Sequence, residues 1–191
     1  MASEYRLTLA PQTLDTPDVA ARGLLERAKA QLGFVPNMYA TMANSPGLLE
    51  AYMLGYERFR SHSGFTPAEQ EVVLLTISRV NGCEYCVAAH SLIADQMSKV
   101  PPAVTDAIRD GHPVPDSSLA ALSTFTARLV ETRGLPSELE VRQFLAAGFT
   151  ERHVLEIILA IGVKTLSNYS NHLFHTQLDA LFASREWGVP A

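Results

Sequence analysis

Thr66-Pro67-Ala68-Glu69-Gln70-Glu71-Val72-Val73-Leu74-Leu75-Thr76-Ile77-Ser78-Arg79-Val80, then Asn81-Gly82, then Cys83-Glu84-Tyr85-Cys86-Val87-Ala88-Ala89-His90, is the stretch whose reading decides the fold. Thr66 with Pro67 and Glu69 is a helix-opening signature, and the apolar run behind it predicts a helix to about Val80. Asn81-Gly82 breaks that helix, and a second one is predicted from near Cys83 to about Met97. At about 100° per residue, Cys83, Cys86 and His90 fall in one narrow sector of the second helix. Val87, Ile93, Ala94 and Met97 share or flank that sector, so the thiols and imidazole face the core.

Working outward, nearly every segment carries helix punctuation. Asp15-Thr16-Pro17 reads as a cap with Gly33 as the stop. Phe34 to Asn44 reads as a turn or two of helix, and Pro46 opens a helix to about Ser61. Pro101-Pro102 opens a short helix ending at Gly111. Asp116 caps one reaching about Arg133, and Pro136 to Ala147 is another, stopped by Gly148. From Thr150 a long helical stretch is expected to about Ser184, with a break near Ser167. Only Glu4 to Leu9 hints at two-residue alternation. The expectation is an all-α fold, a helical bundle in a single domain over residues 1–191.

Composition narrows the function. The chain has 191 residues, 47% hydrophobic and 18% charged, which suits a globular core and not a disordered chain. A net charge of -5 without runs of Lys and Arg speaks against nucleic acid as the main partner. Neither a leader-like N-terminus nor a membrane-length apolar run is visible, and a cytoplasmic location is expected. The chain has 2 cysteines. A disulfide between residues so close closes a tiny loop and adds little by chain entropy. Reactivity or metal binding is a better reason for the pair than stability.

Overlaying the chain on itself with a shift of 85 residues places Glu71 on Glu156, Leu74 on Leu159, Arg79 on Lys164, Cys83 on Asn168, Cys86 on Asn171 and His90 on His175. This reads as a duplicated two-helix unit: a redox-active copy over about 65–97, and a degenerate copy over about 149–184 that serves as scaffold.

The chemistry of the first copy is specific. Cys86 and His90, spaced i and i+4, can meet, and an imidazole beside a thiol can take its proton or stabilise the thiolate. The helix start favours Cys83 as the thiolate; the imidazole favours Cys86. Glu71, on the inward face of the preceding helix, is expected to polarise His90, or to pair with an Arg. Cys83, Cys86, His90 and Glu71 are also a conceivable metal set, but no second Cys or His pair completes a usual zinc pattern. No cofactor and no metal is therefore expected. Tyr85, between the cysteines, suits either a hydrogen-bond role or packing. The run Met38 to Met53, with Tyr39, Met42 and Tyr52, reads as core or interface, His172 as structural or interfacial, and the Trp187 tail as docking on a neighbouring subunit.

The spacing Glu71-x11-Cys83-x2-Cys86-x3-His90 resembles the motif of the alkylhydroperoxidase D (AhpD)-like proteins in the carboxymuconolactone decarboxylase superfamily. Gly33-Phe34-Val35-Pro36-Asn37 through Glu57, and Lys164-Thr165-Leu166-Ser167-Asn168, resemble its peroxidase-related branch. The resemblance covers about residues 15 to 182. It implies an all-helical fold, a trimer or hexamer, and a thiol-dependent peroxidase reducing hydroperoxides. It implies that Cys86 attacks the peroxide, Cys83 resolves the sulfenic acid to a disulfide, and His90 with Glu71 relays protons. It also implies a dithiol reductant, such as a lipoyl carrier or a thioredoxin-like protein. Tyr85 stands where the best-known members have His. A decarboxylase-type lyase and a non-enzymatic redox sensor are the alternatives.

Overall fold

The structure is a computed structural model that describes residues 4–188. Its helices are α1 (Val19–Leu32), α2 (Asn37–Met42), α3 (Pro46–His62), α4 (Pro67–Val80), α5 (Glu84–Gln96), α6 (Pro102–Asp110), α7 (Ser117–Glu131), α8 (Glu138–Ala146) and α9 (Glu151–Phe174), followed by a 3-10 helix, Ala180–Arg185. The described residues contain no strand, so the alternation at Glu4 to Leu9 forms none. None of these helices is long and apolar enough to cross a membrane.

Most boundaries follow the local signals. Thr66 and Glu69 form a capping box at α4, as Ser137 and Glu140 do at α8. Gly82, at φ 68°, takes the left-handed turn between α4 and α5, and Cys83 N–H donates to Ser78 O at 2.9 Å. One cap differs from expectation. Asp18, not Asp15, caps α1, accepting from the N–H groups of Ala20 and Ala21, with Pro17 outside the helix.

Every residue of α4 from Gln70 to Ser78 is buried. The helix is surrounded: α5, α7, α6 and α9 pack on it, so its sequence shows little amphipathic stripe. Two apolar clusters flank it. One joins α4 to α6, α7, α8 and the first half of α9, and includes Phe144 stacked between Phe125 (4.2 Å) and Phe149 (4.7 Å). The other joins α1, α2, α3, one side of α5 and Val163 of α9, and holds both cysteines. Met38, Met42, Tyr52 and Met53 belong to this second core, as the sequence suggested. Gly55 lets α3 close on α9, because a Cβ there would lie 2.7 Å from Val163 Cγ2.

The C-terminal third departs from the duplication. The helix runs unbroken through Ser167 to Phe174, and His175 is its left-handed C-cap at φ 49°. Nothing in the segment Lys164 to Asn171 supplies a turn like Asn81-Gly82, so residues 149–184 do not form a second two-helix unit. Trp187 also departs from expectation: it packs on this chain's own core, and its Nε1–H donates to Arg109 O at 3.1 Å.

The aromatic stack predicts a large core penalty. Phe144→Ala should cost about 3–5 kcal/mol in urea unfolding with an unchanged m-value. A loss under about 1 kcal/mol would contradict this packing.

Candidate redox site

The site is built where three buried elements converge: α4 brings Glu71, the start of α5 brings Cys83, Cys86 and His90, and the middle of α9 brings Lys164, Ser167 and Asn171. Cys83 is the N-cap of α5, so Cys86 sits in the helix's first turn, among its unpaired amides. Both cysteines are free thiols.

A chain of charge runs into this corner. Arg60 of α3 donates from Nη2 to Glu71 Oε1 and, at 2.6 Å, to Tyr56 Oη. Glu71 Oε2 meets His90 Nδ1 at 2.9 Å, and His90 Nε2 meets Lys164 Nζ at 2.9 Å. A lysine ammonium only donates, so Nε2 accepts and the ring is neutral, with its proton on Nδ1 facing Glu71. Glu71 and Lys164 have no solvent exposure. A charge buried so deeply requires a partner, and each has one. Glu71 thus pairs with both the arginine and the histidine.

Cys86 lies at the end of the chain. Its Sγ accepts from Asn171 Nδ2 at 3.3 Å, with Ser167 Oγ at 4.0 Å; Asn171 Nδ2 also lies 3.8 Å from Cys83 Sγ. Burial pushes the Cys86 thiol up, but the hydrogen bond from Cys83 and the charge of Lys164 outweigh it and hold the thiol well below the ordinary value. Cys83 moves the other way: donating to Cys86, and then burial, raise it. The surroundings thus make the two sulfurs unequal and favour ionisation at Cys86. The direct Cys86–His90 contact suggested by the i, i+4 spacing is not the one His90 makes, since its two ring nitrogens are bonded to Glu71 and Lys164. The same bonds leave His90 no nitrogen for a metal, and no cluster of His, Cys, Asp or Glu among the described residues is arranged to hold one.

Tyr85 has a definite contact. Its hydroxyl donates to Asp179, whose carboxylate also accepts Asn37 N–H at 3.2 Å. The residue between the cysteines therefore ties the C-terminal segment and the start of α2 to the site. That segment walls a cleft of about 900 Å³ that Cys83 also lines. A second cleft, about 710 Å³, is lined by Tyr39, Tyr56 and Arg60 on the opposite, α3 side.

Lys164, Ser167, Asn168 and Asn171 fall on one face of α9 and are all buried. The second sequence copy is therefore not scaffold alone. Polar residues at i, i+3, i+4 and i+7 of an otherwise apolar helix were the available signal, absorbed by the repeat interpretation. Arg60 and Tyr56 left no comparable mark. His175, placed on His90 by the overlay, is the left-handed C-cap of the helix.

The buried pair also sets how stability varies with pH. His90 is held below its ordinary 6.5, chiefly by burial and then by Lys164. Glu71 is held below 4.5: burial opposes this, and His90 and Arg60 prevail. Below each ordinary value the unfolded chain binds a proton that the native chain refuses, so stability falls as pH falls. The urea midpoint of the wild type should decline from pH 6.5 to pH 4.5, and His90→Gln should flatten that decline. A flat wild-type midpoint over this window would contradict the assignment.

Comparisons with known proteins bear on the fold. Residues 46–127 match the carboxymuconolactone decarboxylase family. The fold is shared with an AhpD-core, peroxidase-related protein from Ralstonia eutropha JMP134, at 23% identity and a TM-score of 0.79 over 95% of this chain and 96% of that one. It is shared with a peroxidase-related protein from Silicibacter sp. TM1040 (22%, TM-score 0.74, 93% and 96%). A variant of the debrominase Bmp8 in complex with 2,3,4-tribromopyrrole also has it (16%, TM-score 0.73, 95% and 97%). No functionally curated protein matches the sequence. The family match spans α3 to most of α7, and the fold of the whole chain is the one these AhpD-core and peroxidase-related proteins have.

Proposed function

We propose that the protein is a thiol-dependent peroxidase, in which the Cys83/Cys86 dithiol reduces a hydroperoxide. The observation that carries this reading is the adjacent cysteine pair at the start of α5, with Asn171 Nδ2 3.3 Å from Cys86 Sγ and 3.8 Å from Cys83 Sγ; these surroundings favour ionisation of Cys86 over Cys83.

The Cys86 thiolate attacks the distal oxygen of the hydroperoxide, the O–O bond breaks, and the alkoxide leaves as alcohol with a proton from Lys164. Cys86 is now a sulfenic acid. Cys83 attacks its sulfur, the hydroxyl leaves as water, and the disulfide forms. Two thiols and one hydroperoxide become one disulfide, one alcohol and one water. His90 and Glu71 hold Lys164 in place and charged, and pass protons toward it, so the Glu–His relay acts on Cys86 through the lysine. A thiol reductant closes the cycle. Leu155 and Ile158 on α9 and Leu54 on α3 are exposed apolar surface, which suits association of copies into a trimer or hexamer.

A lyase of the decarboxylase type is the second reading, favoured by the family match itself. Ring-lactone decarboxylation uses no thiol pair, and the debrominase relative indicates that the same fold also hosts dehalogenation.

Titration with a stoichiometric alkyl hydroperoxide separates these readings. The wild type should lose both thiols and turn over repeatedly with a dithiol, whereas Cys86→Ser should lose none. Glu71→Gln should react roughly a hundredfold more slowly, the low end of what proton transfer contributes. Retention of both thiols at excess peroxide would overturn the peroxidase reading. Loss without turnover would make the protein a sensor.

A further inference from the structure

We infer that a reducing thiol reaches the Cys83–Cys86 disulfide through the cleft beside Cys83 and forms its mixed disulfide on Cys83, with Cys86 as the leaving thiolate. This rests on the redox reading above and adds the direction and order of its reductive half.

The two sulfurs differ in what lies outside them. Cys83 lines the cleft of about 900 Å³, with Asn81, Tyr85, His172, Leu178 and Trp187 around it. Cys86 lines neither this cleft nor the one beside Tyr56. It packs instead against Ser167 and Asn171. Both cysteines are nearly without solvent exposure, Cys83 at 0% and Cys86 at 2%, so what separates them is the cleft that Cys83 lines. The volume is ample for a peptide-sized or tethered alkyl thiol.

Exchange chemistry points the same way. A thiolate attacks the sulfur it can reach, and the sulfur better able to carry negative charge departs. Attack from the cleft meets Cys83 first and expels Cys86 toward Lys164 and Asn171, where its charge is accommodated. The entering thiolate bonds to Cys83 Sγ as the Cys83–Cys86 bond breaks, and the electron pair stays on Cys86. A second thiol then attacks the reductant's sulfur in the adduct. It releases the oxidised reductant and leaves Cys83 as a thiol, two electrons having entered from two thiols. Cys86 is thereby restored as the peroxide-reactive thiolate in the first exchange, before Cys83 is freed.

The test uses the full chain and needs no peroxide. The disulfide is formed with diamide, pulsed with glutathione, quenched in acid, and the adduct is located by peptide mass mapping. The adduct is expected on Cys83 in the pulse, at least about tenfold over any on Cys86. Adduct on Cys86, or adduct shared equally between the two, overturns the inference while leaving the peroxidase reading standing. If diamide forms no disulfide, both fall together.

Discussion

Everything at the centre of this protein is arranged around one buried cation. Lys164 has no exposure, and a buried ammonium is tolerated only when its surroundings are built for it. Here His90 accepts from it, Glu71 fixes the tautomer that lets His90 accept, and Arg60 balances the second carboxylate oxygen. Asn171, two helical turns along the same face of α9, meets Cys86. Removing any one member leaves a buried charge or donor unpaired, which costs several kcal/mol, on the order of 3–5 for a buried pair.

This arrangement gives the two halves of the fold different jobs. Helices α4 and α5 carry the two cysteines and the Glu–His pair, while α9 carries the buried Lys164, Ser167 and Asn171 that surround Cys86 and His90. The close approach at Gly55 brings α3 against α9, so Arg60 and Lys164 converge on Glu71 and His90 from opposite ends of the chain of bonds. Tyr85 links the same corner to the C-terminal segment through Asp179, so the cleft wall and the cysteine turn are mechanically joined.

The helices of the first half were legible because their ends carry local signals: the Thr66–Glu69 box, the Gly82 turn and the Gly33 stop all depend on neighbours in sequence. The Glu71–Cys83–Cys86–His90 constellation was legible for a related reason: three of its members share one helix and the fourth lies on the helix before. Lys164 was visible only as a family-like run and as the partner of Arg79 in a repeat. Its role depends on α9 passing over α5, a long-range packing that no local pattern encodes. The expected break near Ser167 failed because the polar face of α9 is turned into the site, where its Ser and Asn side chains find partners without unwinding the helix. Trp187 likewise reads as a tail until the pocket by Arg109 that receives it has been built.

The central claim is that Cys83 and Lys164 together favour ionisation of Cys86, and that the lysine's share is large enough to measure. Its most direct test is the ultraviolet thiolate absorbance of the reduced protein followed across pH, in the wild type and in Lys164→Met, with circular dichroism to verify that the helices persist. The account predicts one thiolate in the wild type that survives well below the ordinary thiol value of 9.0, and its upward displacement toward or beyond that value in the variant. An inflection that stays in place when Lys164 is replaced, or a wild type whose thiols both titrate at the ordinary value, would contradict it.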